Sequence, residues 1–534
     1  MTTSMKMVAP GRQSALLKIV PLVLGVMLST IGLWFLVDSP VTGDDLTFVT
    51  FSGIGEIWSG TSTFEFIGFW VSQMIGGNHV TPINGLITSI QLLLTAVFAD
   101  FGFSISLIWG IFRILWIQIA ILSLAFCIFS WFPIIVKRHK RDLNSFTFVY
   151  LLVSALAIGM LQLHVPNGMD PVFSYTTAGW ATASFALVYC GLIGVIWTTS
   201  KSLKLKFAIL SALVGIIGVL NYELMVAAMI GGGLLATGLL IFGEQAADIR
   251  KGHISYFAIA ILTPFAIFLI AQIIRLNLPT WYDGTSIGYK ELIIPVTLSG
   301  LVSLLPISNY VQLPPFMQES AFSMASFNWT VFGAVSALLA LAVVVYRLRV
   351  FQAVAPKPRP NICLTITLVL GLGLMALIST LIIATSAKYQ VDPGINIGRT
   401  YLNYPLGLMS LAGIIAISIV AIGTARPVWA FSLLVVFLIP ITAVQWQINS
   451  QYSEWIESEN YWNNDFFASL SGEFEEIERC SLALSLLDSD FSDRQKAAAL
   501  QGMNSAYFAR FKEDFCDSLP PLPRIGRSIT LIDN

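Results

Sequence analysis

About eleven stretches of apolar residues, each near the 20 residues that span a bilayer as a helix, take up a little under half of this chain. They fall at residues 18–37, 104–136, 143–163, 176–198, 205–222, 224–242, 255–275, 326–346, 362–385, 405–424 and 428–446. In lipid every backbone N–H and C=O must be satisfied within the protein, so such runs have to form helices. The expected fold is therefore all-α and polytopic. Composition agrees: 11% of the 534 residues are charged and the mean hydropathy is +0.78, against about 25% charged residues in an average soluble protein. The formal net charge of −1 leaves no basic face, which excludes a nucleic-acid partner. The first run is too long for a cleavable leader and no small-residue cleavage site follows it, so it is expected to stay as an anchor.

Charge placement decides the path of the chain. Residues 81–100 are apolar enough to cross, but they contain Pro82, Asn84, Gly85 and Gln91. If they cross, the cluster Lys137, Arg138, His139, Lys140 and Arg141 falls outside. If they lie at the outer surface, it falls inside, where Lys and Arg concentrate. The surface placement also gathers Lys18, Lys201, Lys204, Lys206, Arg250, Lys251, Arg347, Arg349 and Arg426 on the cytoplasmic side, and loops 38–80 and 164–175 have no Lys or Arg. The N-terminus is then expected in the cytoplasm and the C-terminus outside.

The predicted division is a membrane domain, residues 1–446, and an outer helical domain, residues 447–534. Outer loops lie at 38–103, 164–175, 276–325 and 386–404. In the first of them Phe64, Ile67, Val71 and Met74 recur at helical spacing, which predicts a helix lying in the interface. A capping pattern at Ser492 and Gln495 opens a helix in the tail. Cys127, Cys190 and Cys363 sit in apolar runs as packing residues. Cys480 and Cys516 in the tail either pair, in an oxidising compartment, or stay as free thiols.

The acids stand out because the outer loops are otherwise so sparsely charged. Gly43-Asp44-Asp45 follows the first run, and Met169-Asp170-Pro171 lies in the next outer loop. Together with Thr81-Pro82-Ile83-Asn84 before a long span, this layout resembles the GT-C superfamily of integral-membrane glycosyltransferases. The resemblance covers roughly the first seven runs. Within that superfamily the chain looks most like bacterial Gtr-type enzymes that modify O-antigen. The resemblance implies a polyprenyl-phosphate sugar as donor, a surface glycan as acceptor and membrane lipids as surroundings. It places the reaction at the outer face of the bacterial cytoplasmic membrane, with inversion at the anomeric carbon.

Such a transfer has modest chemical needs. Phosphate leaves as a weakly basic anion and requires cations or donors more than a strong acid. The acceptor hydroxyl requires a base. Asp44 or Asp45 is the candidate base; as plain residues they would be a solvated turn after Thr42-Gly43. Asp170 is a second acid, or a turn and cap residue. His79 and His164 could position substrate or be structural. Glu223 could bind sugar hydroxyls, neutralise Arg113 or sit in a solvated turn.

Among the scarce outer cations, Arg399 is the first choice for the leaving phosphate, because a guanidinium presents a planar fork. Lys388 and Tyr401 share its loop. Arg113 interrupts an apolar run and either holds the lipid phosphate or reaches the headgroups. Arg275 is a weaker candidate at a span end. No His/Cys spacing fits zinc. The Asp pair suits a hard cation in principle, but a lipid monophosphate carries less charge than a diphosphate, so no metal and no cofactor are expected. Competing readings are a transporter or flippase of lipid-linked saccharides and a non-catalytic polysaccharide-assembly subunit. Transporters tend towards internal repeats and midplane polar residues, whereas here the polar chemistry gathers in long loops.

Overall fold

A computed structural model describes residues 15–37, 39–41, 49, 53–75, 80–136, 142–164, 170, 172–173, 176–243, 247–278, 287–323, 327–350, 360–387, 390, 402–459, 461–470, 474–487 and 493–517. Among them are nineteen α-helices, two short 3-10 turns and two isolated β-bridges. The protein is an all-α, multi-pass membrane protein. In chain order the helices are α1 (Ala15–Gly32), α2 (Ile54–Trp58), α3 (Thr63–Gln73), α4 (Pro82–Asp100), α5 (Ile105–Ile135), α6 (Leu143–Gly159) and α7 (Thr176–Thr198). Then follow α8 (Lys201–Asn221), α9 (Met225–Phe242), α10 (Ala247–Leu276), α11 (Lys290–Val302), α12 (Pro315–Ser320) and α13 (Trp329–Val350). The last are α14 (Ile362–Ala384), α15 (Tyr404–Ala425), α16 (Pro427–Glu459), α17 (Tyr461–Ser469), α18 (Glu476–Leu487) and α19 (Asp493–Phe511).

Local sequence sets several of the starts. Ser104 caps α5 by accepting from the Leu107 N–H, Asp142 caps α6 and Asn361 caps α14. Helix α3 opens with a reciprocal capping box between Ser62 and Glu65.

Among the described residues ten helices are long and apolar enough to cross a membrane, α4 among them. Its contacts give α4 another course. Near its start, Thr88 Oγ1 lies 3.2 Å from Thr177 Oγ1 at the beginning of α7. Its end passes through residues 101–104 straight into α5. Both ends of α4 thus sit at one end of the bundle, and it lies across that end, as the charge pattern predicts. The shorter apolar helices α1 and α6 join the other nine, so α1, α5–α10 and α13–α16 form eleven antiparallel passes among the described residues. Lys201, Lys204 and Arg426 all fall at the end opposite α4.

Two features differ from the sequence expectation. Helix α16 does not stop near 446 but continues to Glu459, because residues 447–459 hold no Gly or Pro and its amide side chains find partners. The described residues of the tail also pack against the first outer loop. Phe466, Leu500, Met503 and Tyr507 share one cluster with Ile54, Trp70, Leu92 and Trp109, so the tail and the first outer loop form one body. A Cβ on Gly55 would meet the backbone of Ala506 at 3.2 Å, which shows how closely α2 and α19 approach. In the tail Cys480 and Cys516 form a disulfide, settling the open alternative. Arg479 braces it by donating to the carbonyls of Phe515 at 3.0 Å and Phe474 at 2.8 Å. Helix α3 is present, packed through Phe66 and Trp70, with Phe64 89% exposed.

Candidate functional site

The first turns of α5 organise the α4 end. Gly110 lets the backbone of the first loop cross directly over the helix: a Cβ there would lie 2.5 Å from the Leu36 carbonyl oxygen and from Val37 Cα. Three residues on, on the same helix face, Arg113 is 0% exposed. Its Nη1 donates to the Ser39 carbonyl at 3.1 Å, and its Nη2 to those of Pro40 and Phe173, each at 2.9 Å. The guanidinium also lies 5.3 Å from the Phe173 ring centre. Arg113 therefore ties the loop after α1 to the loop before α7. It faces neither headgroups nor solvent, so the snorkelling expectation is corrected, and two of its nitrogens are engaged by backbone instead of phosphate. The reason is steric as well as electrostatic: Gly110 brings carbonyls within its reach.

Asp170 sits in the second of those loops and is also buried. Its carboxylate accepts from the backbone N–H of His164 and, at 2.7 Å, from that of Val172. Burial pushes its carboxyl up to about 7; the N–H groups of His164, Val172 and Phe173 and the charge of Arg113 pull the other way. The His164 ring packs edge-on against Tyr404, 4.8 Å between centres. Burial pulls this imidazole down to about 4, opposed by the nearby carbonyls of Ser303 and Gln162.

Residues 161–164 are bolted in place by amides from distant helices. Asn449 donates to the Leu161 carbonyl at 2.8 Å and accepts from the Leu163 N–H at 3.1 Å. Asn309 donates to the Leu163 carbonyl at 2.7 Å, and Gln445 to Asn309 at 3.1 Å. Gln162 reaches the carbonyls of Ser303 and Leu305, while its own N–H donates to the Tyr404 hydroxyl at 2.7 Å. Tyr404 opens α15, and Leu402 just before it packs with Ala178, Tyr222 and Leu224. A chain of direct contacts thus runs from Pro40 through Arg113, Phe173, Asp170 and His164 to Tyr404.

On the flank of this group, Arg275 Nη1 donates to Glu223 Oε1 at 3.2 Å and to Gln272 at the same distance. Their side chains are about one fifth exposed (23% and 19%). Glu223 therefore pairs with Arg275. Asp44, Asp45, His79, Lys388, Arg399 and Tyr401 lie outside the described residues, in the stretches 42–48, 76–79, 388–389 and 391–401. Among the described residues no group of three His, Cys, Asp or Glu could hold a metal. Sequence reasoning missed Tyr404, Gln162, Asn309, Gln445 and Asn449. The one available signal was amides inside otherwise apolar runs, which in lipid must find partners.

Set beside models of protein families, curated proteins and solved structures, the chain matches none. What the fold defines is a class: a multi-pass helical membrane protein.

Proposed function

We propose that this chain is an inverting glycosyltransferase moving a sugar from a polyprenyl-phosphate carrier to a hydroxyl of a surface glycan, at the outer face of a bacterial cytoplasmic membrane. One observation carries the reading. The chain leading to Asp44 and Asp45, the Asp170 loop, and the chain following Arg399 and Tyr401 all meet in the contact path from Pro40 to Tyr404. Two further facts support the side. Lys201, Lys204 and Arg426 stand at the opposite end, as cytoplasmic ends should, and the disulfide belongs to the tail, which shares a core with α4.

In the proposed step Asp44 or Asp45 takes the proton of the acceptor hydroxyl. The resulting oxygen attacks the anomeric carbon, and the carbon–oxygen bond to phosphate breaks with its electron pair leaving on the phosphate. Arg399, with Lys388 and Tyr401, holds that charge. Glu223 and Arg275, paired and about one fifth exposed, border the site. Arg113 and Asp170 act as positioning groups beneath it. The test uses membranes supplied with a labelled polyprenyl-phosphate sugar. Asp44→Asn or Asp45→Asn is expected to abolish transfer at normal protein level, and product NMR to show inversion. Full transfer by both variants removes the base assignment, and a retained configuration removes direct displacement. Movement of saccharide without a new glycosidic bond would point to a flippase.

A further inference from the structure

Helix α4 carries its polarity inside out. Asn84, Thr88, Gln91 and Thr95 are buried, whereas Ile90, Leu94, Val97 and Phe98 are exposed. An apolar outer face suits a helix lying at lipid level; the inner polar stripe must then be satisfied within the protein. It is satisfied only in part. Thr88 meets Thr177, and Thr95 donates to the Gln91 carbonyl at 2.8 Å. Gln91 is 4% exposed, yet neither its side-chain oxygen nor its nitrogen has a partner. Asn221, 0% exposed at the end of α8, donates to the Thr177 carbonyl at 3.3 Å and to Thr182 Oγ1 at 2.9 Å, but its own Oδ1 has no partner.

Thr177 links the two amides: Thr88, on the same face of α4 as Gln91, touches its hydroxyl, and Asn221 binds its carbonyl. The junction of α4, α7 and α8 thus offers uncommitted donors and acceptors, all from neutral amides and hydroxyls. Buried groups of this kind are normally paired. Hydroxyls that both donate and accept complement them, whereas a carboxylate or ammonium would arrive without a counter-ion among these groups.

We propose that this junction is a subsite for an uncharged sugar ring, an inference resting on the glycosyltransferase reading in that the ring belongs to the donor or to the acceptor glycan. Full-length protein in lipid nanodiscs would be titrated with four probes: polyprenyl phosphate bearing a neutral hexose, the same carrier bearing a hexuronic acid, bare polyprenyl phosphate, and a neutral hexose oligosaccharide. Gln91→Met conserves volume, and Asn221→Leu is the second variant. Each is expected to weaken one neutral-sugar probe about tenfold, with bare carrier unchanged. Loss on the hexose carrier identifies the donor ring, and loss on the oligosaccharide the acceptor. Wild type should favour the hexose over the hexuronic carrier by a similar factor.

Wild-type affinity for both neutral probes in the two variants overturns the proposal, as does equal binding of the hexuronic carrier or no binding of either neutral probe. Hexose binding that depends on Gln91 without any glycosidic product sustains the subsite and sinks the transferase reading. Transfer that is indifferent to both amides does the reverse.

Discussion

Arg113 and Arg275 are both arginines near the loop-bearing end of membrane helices, and the fold uses them differently. Arg113 is sealed in, with its guanidinium divided among three backbone carbonyls of two loops. Arg275 stays partly exposed and pairs one carboxylate, Glu223. A buried guanidinium with several fixed acceptors defines where backbone goes. An exposed one in a single ion pair can exchange partners at little cost. In the proposed site the first is scaffold and the second is available to substrate.

The comparison breaks most visibly at Arg113. Arg113→Met should lower stability by about 3–5 kcal/mol, because buried carbonyls lose their donors and Asp170 its cation. Unfolding of the purified protein in detergent would measure this. Arg113→Lys should recover only part, since an ammonium lacks the fork. A small loss in Arg113→Met would mean the two loops are held elsewhere.

Next comes the acid beside it. Asp170 is raised from 3.8 to about 7, so the folded state holds a proton that the unfolded chain releases. Its contribution is complete below pH 3.8 and is lost as pH rises through about 7. His164, lowered from 6.5 to about 4, contributes the opposite slope: stability present above pH 6.5 and lost as pH falls through about 4. Unfolding midpoints measured from pH 4 to pH 8 should therefore lose their decline towards pH 7 in Asp170→Asn and keep the rise contributed by His164. Identical curves for variant and wild type would show that Asp170 does not titrate in this window.

Smaller effects follow outward. Asn449→Leu strips partners from the Leu161 carbonyl and the Leu163 N–H, for a loss of about 1–3 kcal/mol by the same unfolding assay. Glu223→Gln should change stability by less than about 1 kcal/mol, because the pair it breaks is solvent-accessible. If Glu223→Gln proves as damaging as Arg113→Met, the contrast between scaffold and exchangeable arginine is wrong.

Much of the architecture was legible in the sequence, for a physical reason. Lipid forces each apolar run into a helix, and the Lys137–Arg141 cluster decides the course of residues 81–100. The partners within the site were not legible. Backbone carbonyls bear no sequence signature, so nothing marked Ser39, Pro40 and Phe173 as the acceptors of Arg113. Glu223 and Arg275 lie 52 positions apart and meet only because α8 and α10 run side by side. The extension of α16 past residue 446 was not legible either, because the polar residues there include Asn449, which is buried. The same inward logic hid the polar stripe of α4.

The central claim is that the acid pair and the late arginine share one outer cavity above Arg113. The most direct measurement is thiol cross-linking of an Asp45→Cys, Arg399→Cys double variant in intact membranes, with Cys127, Cys190 and Cys363 replaced by Ser and the Cys480–Cys516 disulfide kept. A short bifunctional reagent added from the outer side should join the two positions. Labelling of position 45 only from the cytoplasmic side, with no cross-link, would contradict the account.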